Sequence, residues 1–194
     1  MRNKNRVALD IRIGSISSDV FLLMIYALVR GGVAAMTALL IQILLAATIF
    51  APDFSSRLFL EGRSASTVPV FLIAFIEEST KLLSLRGIGS ETFPFFRNSI
   101  FKGLLIGLGF ALFEIGIKLL FLRGDEASLT LLFGSLSAAL FHIFTGGLLG
   151  TAWFFRNAPF RQTIFFSLFF FAVVLHILYN VFLSPFFFSR MTTP

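Results

Sequence analysis

Residues Val68 to Leu85 read VPVFLIAFIEESTKLLSL, an apolar run into which Glu77, Glu78 and Lys81 are set. An ionisable group at bilayer depth costs roughly 2.5 to 3.5 kcal/mol even on the lenient insertion scale, so such groups persist where they face a protein interior or a water-filled cavity. The run therefore predicts a membrane helix with a polar site on its inner side.

The remainder of the chain agrees with a membrane setting. Its 194 residues are 57% hydrophobic, and the mean hydropathy of +0.91 belongs to a polytopic membrane protein rather than a soluble domain. A spanning helix needs about 20 mostly apolar residues. Five segments qualify: Val33 to Ala51, Val68 to Leu85, Ile100 to Leu122, Leu129 to Phe155 and Ile164 to Phe188. Val20 to Val29 is apolar but short, and Arg30-Gly31-Gly32 reads as a break after it. It is expected to be an interfacial or half-inserted helix, with a sixth span as the alternative. The expected fold is all-α: a basic N-terminal arm and short helix over 1–32, a transmembrane bundle over 33–189 and a tail over 190–194.

Of the sixteen Lys and Arg residues, this topology with the N-terminus inside places eleven on the cytoplasmic side and five outside. That is the positive-inside bias, and it predicts a cytoplasmic N-terminus. The net charge of +6 forms no stripe or cluster, so a nucleic-acid partner is not expected. The absence of cysteine removes disulfides, thiolate metal sites and a cysteine nucleophile. Met1 to Asp19 is polar and basic, so no cleavable signal peptide is expected. The many phenylalanines, clustered at Phe165, Phe166, Phe169 to Phe171 and Phe186 to Phe188, suit a surface facing membrane lipid.

The groups that lipid would reject are Glu77, Glu78 and Lys81; Glu114; His142 and Thr145; His176 and Asn180. Both histidines of the chain are among them. Counted from the outer end of each span at about 1.5 Å per residue, Glu77, Glu114, His142 and His176 fall in one layer roughly 12 to 20 Å deep. Four helices of alternating direction can therefore bring them together. Phe110 shares a face with Glu114, His142 with Gly146, and His176 with Asn180, whereas Glu77 and Glu78 differ by about 100° around the axis. Only one of the two glutamates can point squarely at a common centre.

Local explanations exist for several of these groups. Glu77 has Lys81 at i+4 and Glu114 has Lys118 at i+4, the favourable order for a helical ion pair. Thr145 and Asn180 suit interhelical hydrogen bonds, and Gly103, Gly107, Gly109, Gly146, Gly147 and Gly150 suit close helix approach. One lysine cannot neutralise both Glu77 and Glu78, however, and two histidines at the depth of the carboxylates point to chemistry.

Carboxylates and imidazoles without a clear serine or cysteine nucleophile suit a water-activating hydrolase. Ser79 lies beside the glutamate pair, but nothing aims it at a histidine. A glutamate can take a proton from water and return it to a leaving amine. A histidine and an asparagine amide can supply the positive edge that a tetrahedral oxyanion needs. Zinc held by Glu77, Glu114, His142 and His176 is the alternative, although no His-Glu-x-x-His motif is present.

The order Glu-Glu-x-x-Lys (Glu77, Glu78, Lys81), Gly-Phe-x-x-x-Glu (Gly109, Phe110, Glu114), His-x-x-Thr-Gly (His142, Thr145, Gly146) and His-x-x-x-Asn (His176, Asn180) resembles the PrsW-type intramembrane proteases. That family is related to the CAAX prenyl-endopeptidases and to the scaffold subunit of gamma-secretase. The resemblance covers roughly Val33 to Ser189. It implies that Glu77 is the water-activating base and Glu78 an assisting acid or structural partner. Glu114, His142 and His176 would complete the centre, with Asn180 as an oxyanion contact. It also implies a glutamic-type mechanism with no cofactor required, a zinc-dependent one being the older proposal. The setting would be a prokaryotic plasma membrane and the substrate a membrane-anchored protein, an anti-sigma factor among the candidates. Two departures stand out: Ile115 follows Glu114 where the family often has asparagine, and the N-terminal region lacks a convincing first span.

Two other readings compete with an intramembrane endopeptidase. One is a non-catalytic scaffold or chaperone that uses the polar cluster to hold a transmembrane partner. The other is a small ion or proton transporter, because intramembrane Glu and His chains also form relays.

Overall fold

The computed structural model describes residues 3–49, 67–87, 96–121, 129–156 and 161–183. Among these residues five helices follow one another: α1 Asn3–Ile49, α2 Thr67–Ser84, α3 Phe96–Phe121, α4 Leu129–Phe155 and α5 Gln162–Leu178. A 3-10 turn, Leu85–Gly87, extends α2, and a π turn, Tyr179–Leu183, extends α5. No strand occurs among the described residues. The tail 190–194, the cluster Phe186 to Phe188, and Arg2, Arg57, Arg63, Arg123 and Arg190 of the charge count lie outside them.

Among the described residues, four stretches are long and apolar enough to cross a membrane: Val20–Leu45, Asn98–Leu120, Phe133–Phe155 and Gln162–Phe182. Helix α2 has 18 residues, about 27 Å of rise, and differs in carrying Glu77, Glu78 and Lys81. Its charges point inward, since Glu78 and Lys81 are fully buried. The chain is thus an all-helical integral membrane protein.

The expected break at Arg30-Gly31-Gly32 does not occur. α1 runs through it unbroken, and its apolar window starts at Val20, thirteen residues before the expected start of the first span. The glycines serve packing instead. Gly31 lies against the backbone of Ile106, Gly109 and Phe110 on α3, and a Cβ at Gly109 would collide with the Leu28 backbone. Glycine costs a helix about 1 kcal/mol, too little to end one whose neighbours gain close contact. The same continuity joins Val20 to Val29 with the span expected from Val33 in one helix.

Lipid tails are as apolar as leucine, so membrane helices associate through close packing and polar contacts rather than the hydrophobic effect. α3 and α4 show this most clearly. A Cβ added at Gly103 would strike the Gly146 carbonyl, one at Gly107 the His142 carbonyl, and one at Gly150 the Ser99 carbonyl. These contacts make the two helices antiparallel and set His142 directly across from Gly107. Gly147 differs, meeting only the Leu104 side chain. Small residues continue the theme, with Ala27, Ala34, Ala35 and Ala38 buried along α1 and Ala74 on α2. Phe169 of α5 is buried edge-on against Phe75 of α2, ring centroids 5.7 Å apart, while Phe166, Phe170 and Phe171 are exposed as a lipid-facing surface requires.

Candidate active site

Glu77, Glu114, His142 and His176, expected in one layer, are brought by the helices to one cavity. Its lining comes from the middle of α2 (Ile73, Glu77), the end of α3 (Glu114, Lys118), the stretch of α4 up to its midpoint (Gly134, Ala138, His142) and the end of α5 with its π turn (His176, Tyr179, Asn180). The volume is about 210 Å³, room for a few waters or for part of a peptide. The π turn begins three residues after His176, and such local widenings recur at functional sites.

Lys81 organises the interior. Its ammonium donates to Glu78 Oε1 at 2.7 Å, to His142 Nδ1 at 2.8 Å and to Thr145 Oγ1 at 3.3 Å, and it stands 4.6 Å from the Phe110 ring centroid. The Thr145 hydroxyl donates onward to the His142 carbonyl at 3.3 Å. Lys81 therefore pairs with Glu78 at i+3 rather than with Glu77 at i+4, which corrects the local ion pair expected from spacing. Both spacings are reachable on a helix; the partners offered by α4 decide between them. Thr145 is also accounted for as a bridge between helices.

Glu78 Oε1 accepts a second bond, from His176 Nδ1 at 2.6 Å. Glu78 Oε2 is buried and has no hydrogen-bond partner among the described residues. With Nδ1 carrying the hydrogen, His176 turns its Nε2 lone pair towards Glu77 Oε2, 3.5 Å away. That distance is too long for a direct hydrogen bond. Glu77 Oε1 accepts from Gln42 Nε2 of α1 at 3.1 Å. Among the described residues, no lysine or arginine pairs with Glu77.

Glu114 differs again. It accepts from His142 Nε2 at 2.6 Å and forms an ion pair with Lys118, so the expected local pair is present alongside a tertiary one. Glu114 and Lys118 are about one-third exposed and form the open lip of the cavity. The two histidine rings stand 5.3 Å apart, His142 against Phe110 and His176 against Phe141.

Residues that line or brace the site escaped the sequence reading. Gln42 is a lone amide in the apolar run of α1, and the test that found His142 would have found it. Tyr179 shares a 2.8 Å hydrogen bond with Ser137 and stacks on Phe141 at 4.5 Å, bracing the α4–α5 wall. No spacing rule in the sequence pairs those two residues. Ser79 does not line the cavity.

Glu77, His142 and His176 offer ligand atoms all within 4.8 Å of one another, so a metal can be considered. Glu114, the fourth residue of the expected set, is not in that cluster. Glu77 and His176 fit, since both present lone pairs to the cavity and Glu78 orients His176 from behind, as outer-shell carboxylates do at metal sites. His142 fits only if its ring hydrogen moves to Nδ1, where the Lys81 ammonium stands.

Comparison with known proteins bears on the same cavity. Residues 20–191 match the family model described as PrsW family intramembrane metalloprotease. Neither the search of curated proteins nor that of solved structures finds a match. The description favours a metal, so the expectation that none is required has no support from it, whereas zinc remains compatible with the donor set.

Proposed function

Because the chain belongs to the PrsW family of intramembrane metalloproteases, we propose that it is an endopeptidase that hydrolyses a peptide bond of a membrane-anchored protein in this cavity, with Glu77 as the base that activates water. The carrying observation is the unmatched pair of acceptors. Glu77 Oε2 and His176 Nε2 face each other at 3.5 Å on the cavity wall, a gap suited to a molecule that gives hydrogen to both. Water placed there loses one proton to Glu77 as its oxygen bonds to the substrate carbonyl carbon. The tetrahedral oxyanion takes a hydrogen bond from the Asn180 amide, and a second from the Nε2–H of His142 as that hydrogen turns from Glu114 Oε2. Glu77 then returns the proton to the amide nitrogen, the C–N bond breaks, and acid and amine leave. Base catalysis of this kind contributes roughly 10² to 10⁴-fold, and one oxyanion donor about 10² to 10³-fold.

Gln42 holds the Glu77 carboxylate from α1, and Glu78 holds His176, which gives the adjacent glutamates unequal roles. A divalent ion on Glu77 and His176 would supply Lewis-acid activation of the same water. The family description supports this metal-assisted form, while the full occupation of Lys81 supports His142 as a donor in either form. The basic N-terminal arm supports a cytoplasmic N-terminus, with the cavity then opening to the outer face of a prokaryotic plasma membrane. Anti-sigma factors are one substrate group of this kind.

The test is purified protein incubated with a panel of single-span substrates, metal content being measured in the same sample. Cleavage inside or beside a span is expected. Absence of cleavage across the panel, with a tightly retained transmembrane partner, would favour the scaffold reading instead.

A further inference from the structure

We propose that Lys81 is a positioning residue that sets opposite tautomers on the two histidines, making His142 a hydrogen-bond donor to the cavity and leaving His176 alone as the acceptor or metal-binding imidazole. The inference rests on the reading of this cavity as the hydrolytic centre and extends it to a residue with no role in bond breaking.

An ammonium carries three hydrogens and no acceptor. Lys81 is fully buried and has three acceptors within reach, Glu78 Oε1, His142 Nδ1 and Thr145 Oγ1. Each receives one hydrogen, so the Nδ1 of a neutral His142 must be bare. Its hydrogen then resides on Nε2, which donates to Glu114 Oε2 at 2.6 Å. At His176 the order is reversed. Glu78 Oε1 takes the Nδ1 hydrogen at 2.6 Å, and Nε2 is bare toward Glu77.

One carboxylate oxygen thus ties the two settings together, because Glu78 Oε1 accepts from both Lys81 and His176 Nδ1. Glu114, matched by Lys118 at the lip, receives the hydrogen that Lys81 sends to the far side of His142. A metal on His142 Nε2 would require that hydrogen to move to Nδ1 and collide with the ammonium. The cluster of three ligand candidates is therefore functionally two.

The chain has only two histidines, which makes the test direct. The full-length protein with ¹⁵N-labelled histidine is studied by NMR in detergent or lipid, where ring couplings separate protonated from bare nitrogens; His142→Gln and His176→Gln assign the signals. The expected result is one residue of each tautomer, with hydrogen on Nε2 of His142 and on Nδ1 of His176. Hydrogen on Nδ1 of His142 would overturn the proposal. In Glu114→Gln, whose amide can accept from or donate to His142 Nε2, Lys81 alone should still hold the His142 hydrogen on Nε2; adding Lys81→Met should move it wholly or partly to Nδ1, and adding Lys81→Arg should leave it on Nε2, since guanidinium also only donates. A folded double variant of Glu114→Gln and Lys81→Met with His142 unchanged would overturn it; if that variant fails to fold, Glu114→Gln alone decides, hydrogen on Nδ1 of His142 counting against the proposal. In wild type the His142 Nε2–H signal should survive added Zn²⁺, and its loss would count against the proposal. Failure of the protease reading is distinguishable, because it would show as absent cleavage with the tautomers as stated.

Discussion

Replacing Gly107 by alanine tests whether helix contact sets the geometry of the cavity. A Cβ there would stand 2.9 Å from both the His142 carbonyl carbon and Ile143 Cα, with the His142 carbonyl oxygen closer still. Ordinary contact begins at 3.4 Å, so α4 must retreat by about 0.5 Å to clear the two carbons, and further to clear the oxygen. The atoms in the way are backbone and cannot rotate aside. Overpacking of this kind costs about 1 to 3 kcal/mol. The retreat also carries His142 away from Glu114 and Lys81, and displacing a reacting constellation by about 1 Å can cost 10²-fold in rate. Gly116, on the same helix with nothing within 4 Å of its added Cβ, is the control. Gly116→Ala should be neutral or stabilise by up to about 1 kcal/mol, as for a glycine inside a helix. Thermal unfolding in detergent and cleavage of a reconstituted single-span substrate are measured for all three proteins. Gly107→Ala should lower the midpoint and slow cleavage roughly 10 to 100-fold, while Gly116→Ala keeps both. Equal stability and activity in the two variants would refute the reasoning.

Three further outcomes follow from named contacts. Lys81→Met leaves the Glu78 carboxylate buried with His176 as its remaining partner, and loss of one member of a buried pair costs about 3 to 5 kcal/mol; chemical denaturation should show this, and adding Glu78→Gln should recover part of it. Gln42→Leu removes the 3.1 Å bond to Glu77, worth about 1.5 to 3 kcal/mol for a charged acceptor, and should slow cleavage while far-ultraviolet circular dichroism stays unchanged. Tyr179→Phe loses the hydroxyl bond to Ser137 but keeps the stack on Phe141, so a loss of about 1 kcal/mol and near-normal cleavage are expected, with Tyr179→Ala markedly worse in the same assays.

The layer holding Glu77, Glu114, His142 and His176 was legible because helical rise is fixed and adjacent spans alternate in direction, so counting residues gives depth. The inequality of Glu77 and Glu78 was legible from phase alone. Partner choice was not. Lys81 can reach i−3 or i−4 along its own helix, and only the arrival of His142 and Thr145 from α4 selects Glu78. Arg30-Gly31-Gly32 carried a local signal for a break, yet contact with Ile106 and Gly109 turned the same glycines into a crossing point. Gln42 obeys the rule that exposes the other polar residues, whereas the Ser137–Tyr179 bond depends on helix rotation that no spacing encodes.

The central claim is that Glu77 is the base and Glu78 its neighbour's support, and the direct measurement is the cleavage rate of Glu77→Gln in a protein shown to be folded. Glutamine is nearly isosteric and can still meet Gln42, but it cannot take a proton from water. The account predicts a loss of roughly 10² to 10⁴-fold with thermal stability preserved or raised. Cleavage by folded Glu77→Gln at a rate close to wild type would contradict it.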